Sequence, residues 1–295
     1  MKKIKVGVIQ AFSGCGMQMS GIENTDCFEP ENVATIENDI NAIIAYAAIH
    51  EGLTPELIES YPDYPSRQEM IDTLVKKNIG YDFLKNKPYN WQRYLNSADS
   101  KNFLKTVWLA DKLSKNLGDI TKIDSIPHCG LLTWSFPCSD LSVSGQQRGM
   151  DAGETRSGLA WEVLRILHNT EDRPNFLLME NVDALVSKKF LPSYEALNEE
   201  FKKLGYDVKW QVINGKYCGV PQNRRRVFGV YWLRDKIDFS SFEFPKPFWD
   251  GTTLQDVLED DVDEKYYITS DKARQLIEQL VVTDTVTEED FDKKK

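Results

Sequence analysis

The strongest constraint on the fold of this chain is its alternation of short β-type runs with helical segments. Apolar runs rich in β-branched residues, "IKVGVI", "NVATIE", "CGLLTW", "NFLLMEN", "YDVKWQVI" and "RRVFGVYWL", have the length and composition of strands. Among them, "NDINAIIAYAAIHEG", "TRSGLAWEVLRILHN" and "PSYEALNEEFKKLGY" carry apolar residues at helical spacing. This alternation predicts an α/β fold with a Rossmann-like, mostly parallel sheet and helices on both faces.

The domain organisation follows from where the alternation is interrupted. Residues 51–118 contain proline-bounded helical patterns and many aromatic residues, which indicates a helical insertion after the second strand. We expect residues 1–250 to form the main domain and residues 251–295 an acidic extension. Its end, "TDTVTEEDFDKKK", has the composition of an exposed, disordered tail.

Charge and cysteine content restrict the class of protein. The net charge of −10 argues against a general nucleic-acid coat, so any contact with DNA or RNA must be local, and "NRRRV" is the strongest basic cluster. Such a cluster, taken alone, is more often a solvated turn. The five scattered cysteines favour a reducing compartment. The N-terminal "MKKIKVGVIQAFSG" has neither a spanning apolar length nor a signal cleavage site, so we expect a cytoplasmic protein without a membrane anchor.

A glycine turn follows the first strand. In "FSGCGMQMSG", Gly14 and Gly16 allow the backbone to approach a ligand closely. The dinucleotide fingerprint requires a third glycine where this chain has Met19. A nicotinamide-dependent enzyme is therefore disfavoured, while a ligand that contains adenosine remains open.

Two acidic residues stand where such folds bind a nucleoside. Glu37 closes the second strand, about 20 residues beyond the glycines, where a carboxylate can reach ribose hydroxyls. Asp119 precedes the third strand in "LGDI". Each, taken alone, is equally well explained as an ordinary acid at a helix N-terminus. Together with the glycine turn they favour a nucleoside pocket.

A cysteine and a glutamate follow two later strands. Cys138 comes after Pro137 in a loop at the carboxyl end of "CGLLTW", which is where open α/β sheets place their chemistry. Glu180 ends "NFLLMEN", and a carboxylate there must face solvent or a site. A lone cysteine is more often inert than nucleophilic, so the residues alone leave both roles open.

The order of motifs resembles that of DNA cytosine-5 methyltransferases. The matching segments are "AFSGCG", "ATIENDINAIIAYAAIH", "GDI", "SFPCSDLS", "RSGLAWEVLRIL", "MENV" and "GVPQNRRRV", and they extend from Val6 to about Leu233. Several motifs in register are far more specific than any one of them. The resemblance implies the fold of methyltransferases that depend on S-adenosylmethionine.

The resemblance also implies a catalytic set. Cys138 matches the nucleophile that adds to C6 of a flipped-out cytosine, and Glu180 matches the acid that binds N3 and the exocyclic amine. Arg224 and Arg226 match the pair that holds the base carbonyl and the cysteine loop. No metal is implied. The residues implied to bind S-adenosylmethionine are Phe12, Gly14, Gly16, Glu37, Asp119, Ile120 and Pro137.

The chain departs from the family pattern in several places. Ser139 replaces the usual glutamine after the cysteine, Met17 replaces a common glycine, and Asn38 stands where an apolar side chain often lies against adenine. The sequence contains no glycine-asparagine-serine triplet, which in the family follows a target-recognition domain. The resemblance implies double-stranded DNA as a partner, and the missing triplet and recognition domain lead us to expect a second subunit that carries that domain. The same pattern would also fit the truncated product of an interrupted gene, or a remnant of the catalytic domain with another role.

Alternative functions remain open from the sequence. One branch of the family methylates cytosine in transfer RNA, although its cysteine-phenylalanine-threonine signature is not found here. A non-catalytic interaction protein with this fold is the other alternative.

Overall fold

A computed structural model describes residues 2–81, 87–95, 102–138, 141, 150, 155, 157–267 and 270–282 of the chain. The strands of its sheet are β1 (Ile4–Ala11), β2 (Phe28–Ile36), β3 (Leu131–Trp134), β4 (Phe176–Val182), β5 (Tyr206–Asn214) and β6 (Arg225–Leu233). The α-helices are α1 (Met17–Glu23), α2 (Ile40–His50), α3 (Pro55–Ser60), α4 (Arg67–Lys76), α5 (Phe103–Leu113), α6 (Ala160–Asn169), α7 (Leu191–Lys203) and α8 (Asp271–Val282).

The six strands lie in the order β2-β1-β3-β4-β6-β5. β1 pairs in parallel with β2 and β3, and β3 pairs in parallel with β4, whereas β6 is antiparallel to both β4 and β5. The predicted mostly parallel sheet is confirmed. Because β2 lies on one side of β1 and β3 on the other, the strand order reverses at β1. The crevice beyond the carboxyl ends of these strands is where such sheets bind ligands.

Helices cover both faces of the sheet, as predicted. Side chains alternate along β1, so Ile9 and Ala11 point into the core that contains the apolar faces of α6 and α7. Gln10 points to the opposite face, where its Nε2 donates to the hydroxyl of Tyr46 on α2 at 2.7 Å. α2 begins at its N-cap Asp39, whose side chain accepts from the backbone N–H of Ala42 at 2.9 Å.

The insertion forms a second apolar core with α2. Ile43 of α2 packs with Met70 and Leu74 of α4 and with Val107 and Leu109 of α5, and all of these side chains are buried. Helices therefore occupy the segment for which a helical insertion was predicted. The insertion is fastened to α2, the helix that follows β2, so it lies next to the carboxyl end of that strand.

The chain divides into two compact units, residues Met1–Asn214 with Arg225–Lys246, and residues Gly215–Arg224 with Pro247–Lys295. In the second unit the backbone N–H of Phe248 donates to the carbonyl of Tyr217 at 3.0 Å. The predicted domain boundary at residue 250 stays a prediction, and the predicted disordered tail, residues 283–295, lies outside the described residues. Within the described part of the chain, no helix has the length and apolar content needed to cross a membrane.

Candidate active site

A cavity of about 620 Å³ opens at the carboxyl ends of β1, β2 and β3. Its wall includes Phe12 after β1, Glu37 after β2 and Pro137 after β3, together with Asp119 and Ile120 from the segment before β3. The volume lies within the range of about 300 to 1,000 Å³ that is usual for small-molecule sites. The sheet thus brings together residues that are far apart in the sequence.

Glu37 is held in the cavity wall by backbone N–H groups. Its Oε2 accepts from Gly14 at 3.0 Å, and its Oε1 accepts from Asn38 at 2.8 Å and from Asp39 at 2.9 Å. Burial raises the pKa of Glu37, and the three donors offset part of that rise. The carboxylate is therefore fixed in direction while one side of the residue still faces the cavity.

Asp119 is a buried acid in the same wall. Its Oδ1 accepts from the backbone N–H and the hydroxyl of Thr121, both at 2.9 Å, and its Oδ2 accepts from Nδ2 of Asn78 at 2.6 Å. Asp119 thereby caps the short 3₁₀ turn that begins at Ile120. The cap orients a second carboxylate at the cavity.

The two glycines of the turn do not lie in the cavity wall. Gly14, at φ +54°, donates its N–H to Glu37 and so acts on the cavity through that carboxylate. Gly16, at φ +84°, lies against α2, because a Cβ there would come within 2.3 Å of Nε2 of His50. Direct contact of either glycine with a cofactor stays a prediction.

The cysteine loop is exposed at its tip and fastened at its base. Cys138 is exposed to solvent. The carbonyl of Phe136 accepts from Nδ2 of Asn181 at 2.9 Å, and the carbonyl of Pro137 accepts from the hydroxyl of Ser157 at 2.7 Å. Since Asn181 and Ser157 are both buried, these bonds hold the loop against the end of β4 and the segment before α6.

Glu180 and Arg226 form an ion pair across two neighbouring strands. Nε of Arg226 lies 3.0 Å from Oε1 of Glu180, and both side chains are largely buried. The antiparallel register of β4 and β6 places Val182 opposite Arg226, which brings the arginine to the end of β4. Arg224 belongs to the second unit, where it is exposed and its carbonyl accepts from the N–H of Gly215 at 3.0 Å.

Comparisons with known proteins decide the family. The family model for C-5 cytosine-specific DNA methylase matches residues 92–294. The chain is 35% identical over 272 residues to the type II methyltransferase M2.ScrFI of Lactococcus lactis subsp. cremoris, covering 90% of this chain and 71% of that relative. It is 38% identical over 274 residues to the orphan methyltransferase M.SssI of Spiroplasma monobiae, covering 90% of this chain and 67% of that relative.

The chain belongs to the C-5 cytosine-specific DNA methylase family. The family, the fold class and the enzyme class predicted from the sequence, a DNA (cytosine-5) methyltransferase, are confirmed.

Solved structures agree on the fold of this methylase. The Dnmt2 methyltransferase of S. pombe superposes with a TM-score of 0.50 at 16% identity over 90% of this chain, and the Entamoeba histolytica methyltransferase EhMeth with 0.50 at 20% identity over 92%. The chain spans 63% and 64% of those two chains, which is less than two thirds of their length.

The cavity suits the methyl donor that the family implies. Its wall combines the apolar side chains of Phe12, Ile36 and Ile120 with the carboxylates of Glu37 and Asp119. Apolar surface fits a purine ring, and carboxylate oxygens accept hydrogen bonds from ribose hydroxyls and from an exocyclic amine. Among the described residues, no group of three or more His, Cys, Asp or Glu side chains could hold a metal ion.

Some residues of this site were not predicted from the sequence. Gly80, Tyr81 and Tyr89 of the insertion also line the cavity, and no motif marks them. Ser157 lies in "RSGLAWEV", a segment that carried the family resemblance, and this was the one signal for its role. The departure at Ser139 lies outside the described residues.

Proposed function

We propose that this chain transfers a methyl group from S-adenosylmethionine to C5 of cytosine in DNA, with Cys138 as the nucleophile. The observation that carries the proposal is the position of the cysteine loop. The cavity wall includes Ser135 and Pro137, and Pro137 directly precedes Cys138 in the chain. Asn181 binds the carbonyl of Phe136 in the same loop and neighbours Glu180 at the end of β4.

The chemistry assigns a task to each residue. The thiolate of Cys138 adds to C6 of the cytosine and forms a sulfur-carbon bond, which makes C5 electron-rich. The protonated carboxyl group of Glu180 donates to N3, and its other oxygen accepts from the exocyclic amine, which stabilises the ring as electron density moves onto it. C5 then takes the methyl group as the sulfonium carbon-sulfur bond breaks, which leaves S-adenosylhomocysteine. Water, acting as a base, removes the proton from C5, and this elimination expels the thiolate of Cys138 and restores the double bond between C5 and C6.

Arg226 acts beside Glu180 in this proposal. The contact of Nε with Oε1 fixes the carboxyl group of Glu180 in one rotamer, and Nη1 donates to the carbonyl of Arg225 at 2.7 Å. The other donors of the guanidinium can bind the base carbonyl. Arg224 has the same predicted role and stays a prediction, because it lies in the second unit.

The cavity would hold the cofactor. S-adenosylmethionine supplies a methyl group on an electrophilic sulfonium. Glu37 would accept from the ribose hydroxyls and Asp119 from the adenine amine, while Phe12 and Ile120 would contact the ring and Pro137 would lie near the reacting end.

The substrate and partners are part of the proposal. A cytosine stacked in a duplex hides C5, so the base must leave the helix, at a cost of about a few kcal/mol. The second subunit with a target-recognition domain has no support in the comparisons and stays a hypothesis, as does the cytoplasmic location.

Two measurements test the function. Calorimetric titration with S-adenosylhomocysteine should give micromolar binding, and tritiated methyl transfer to mixed-sequence DNA should yield 5-methylcytosine after digestion. The Cys138→Ala variant should bind S-adenosylhomocysteine as the wild type does and transfer no methyl group. Transfer by that variant would refute the nucleophile, and transfer to transfer RNA but not to DNA would refute the substrate.

A further inference from the structure

A buried asparagine pairs with the backbone of the proposed ribose-binding acid. Asn116, which is 2% exposed, donates from Nδ2 to the carbonyl of Glu37 at 3.0 Å and accepts at Oδ1 from the N–H of Glu37 at 3.0 Å. One side-chain amide therefore binds both backbone polar groups of one residue. The pairing fixes the backbone at Glu37, and hence the direction in which its carboxylate points.

The other bonds of the same amide lead to further parts of the cavity and the insertion. Oδ1 of Asn116 also accepts from the N–H of Gly118 at 3.2 Å, and Nδ2 also donates to Oδ1 of Asp111 at 3.1 Å. The hydroxyl of Thr35 lies 3.4 Å from the same Oδ1 and 3.2 Å from the carbonyl of Ser114. Gly118 lines the cavity and precedes Asp119. The amide thus uses both donors and both acceptor sites in buried surroundings, where each lost bond leaves an unsatisfied group.

Two other residues of the insertion, Lys77 and Asp111, hold this asparagine in place. Asp111 of α5 pairs with Nζ of Lys77 at 2.6 Å, and Lys77 also donates to the carbonyl of Asn116 at 2.7 Å. The carbonyl of Lys77 accepts from the N–H of Asp119 at 2.9 Å. A continuous polar network therefore runs from the insertion to both carboxylates of the cavity wall.

We propose that Asn116 is a positioning residue for cofactor binding, which sets the carboxylate of Glu37 and through which the insertion controls affinity for S-adenosylmethionine. The proposal rests on the function proposed above, since it assigns the cavity to that cofactor. Asn116 does not act on the cofactor directly.

Asn116→Asp is the sharpest variant, because it keeps the shape and removes the donor. The new carboxylate would face the carbonyl of Glu37 and the carboxylate of Asp111, so the bond to the carbonyl of Glu37 is lost and replaced by repulsion, while the N–H of Glu37 keeps its acceptor. Asn32→Ala is the matched control, because Nδ2 of Asn32 also ties β2 to the end of α5, through the carbonyl of Ser114 at 3.1 Å, and binds Oε1 of Glu51 at 2.7 Å. Neither of those two partners belongs to the cavity wall.

The first readout is the dissociation constant for S-adenosylhomocysteine, measured by calorimetry beside the melting temperature. We expect Asn116→Asp to weaken binding by roughly tenfold or more and Asn32→Ala to leave it within about twofold, even if both lower the melting temperature. Equal weakening by both variants, or unchanged binding by Asn116→Asp, overturns the positioning role. If Asn116→Asp does not fold, Thr35→Val removes a hydroxyl that contacts Oδ1 of Asn116 and the carbonyl of Ser114, and Asn32→Ala also loses a bond to that carbonyl. Thr35→Val should weaken binding by roughly threefold relative to Asn32→Ala, and equal binding by the two overturns the proposal.

The second readout needs no cofactor and so separates the two proposals. The amide of Glu37 donates to Asn116, and the amides of Asn38 and Asp39 donate to the carboxylate of Glu37. Hydrogen exchange of the ligand-free protein should show these three amides exchanging roughly tenfold faster in the Asn116 or Thr35 variant than in Asn32→Ala. Equal exchange in variant and control overturns the inference. A different outcome is faster exchange in the variant together with a wild type that does not bind S-adenosylhomocysteine. That result would overturn the assignment of the cavity to the cofactor, and therefore the role of Asn116 in cofactor binding.

Discussion

Nε of Arg226 lies 3.0 Å from Oε1 of Glu180, on strands that run antiparallel. The side chains are 22% and 26% exposed, so the pair is only partly screened by water. The preceding arginine on the same strand, Arg225, pairs with Asp183 at 3.2 Å, but there the side chains are 61% and 41% exposed. Two adjacent arginines therefore make similar contacts in different surroundings.

This difference predicts unequal effects of the same substitution. Arg226→Gln should reduce methyl transfer by roughly 100-fold, because it removes the charge that orients Glu180 and a donor to the base. Arg225→Gln, the matched control, should change transfer by less than about threefold, since an exposed ion pair contributes little. The steady-state rate of methyl transfer by the two variants tests this prediction. Similar losses of rate in both variants would contradict the role of Arg226 beside Glu180.

The buried cysteine should be inert to alkylation. Burial raises the pKa of Cys129 to about 12, so at pH 8 roughly one molecule in ten thousand carries its thiolate. N-ethylmaleimide should label the exposed Cys27 of the native protein and leave Cys129 unmodified, as peptide mass spectrometry would show. Labelling after unfolding in urea is the control, and equal native labelling of both cysteines would argue against the buried position.

Glu37 should make stability depend on pH in a defined direction. Its pKa in the folded protein is raised above the ordinary value of 4.5. The contribution of Glu37 to the free energy of unfolding is therefore fully present below pH 4.5 and is lost as the pH rises through the raised pKa. Thermal melts of the ligand-free protein from pH 8 to pH 5 should therefore show the wild type gaining stability relative to Glu37→Gln as the pH falls.

The control for this measurement is Glu69, whose pKa is lowered by hydrogen bonds from Ser66. For that residue the sign is reversed, and the wild type should lose stability relative to Glu69→Gln as the pH falls toward and below 4.5. The difference in melting temperature between the wild type and Glu37→Gln should change with pH in the opposite direction to the difference for Glu69→Gln. A Glu37 difference that is constant with pH, or that changes in the same direction as the Glu69 difference, would mean that burial does not raise the pKa of Glu37.

The two glycines of the turn should tolerate alanine differently. Gly14→Ala meets nothing within 4 Å, so its cost is that of a positive φ, about 1 kcal/mol. Gly16→Ala adds a collision with the buried ring of His50 and should cost about 3 kcal/mol or more. Urea unfolding followed by circular dichroism measures both, and equal costs would contradict the packing of His50 beneath Gly16.

The sheet was largely predictable because its signals are local. The run "NFLLMEN" predicts a strand over residues 175–181, and β4 spans Phe176–Val182. Which of the three arginines in "NRRRV" would meet Glu180 was not predictable, because this depends on the register between β4 and β6. The pairing of Asn116 with Glu37 was hidden for the same reason, since it joins residues that are distant in the chain.

The glycine turn shows a second limit of the sequence. Gly14 and Gly16 stand in one motif, yet one binds the carboxylate of Glu37 and the other makes room for a histidine on α2. A glycine indicates that a side chain is excluded, but the excluding group is supplied by the fold.

The most direct test of the account is covalent capture by DNA in which the cytosines carry fluorine at C5. After methyl transfer, C5 of such a base has no proton to lose, so the bond between C6 and sulfur should persist. The account predicts a complex that survives denaturing electrophoresis, requires S-adenosylmethionine, maps to the peptide that contains Cys138 and is absent in Cys138→Ala. A complex that forms in that variant or maps to another cysteine, or no complex with the wild type, would contradict it.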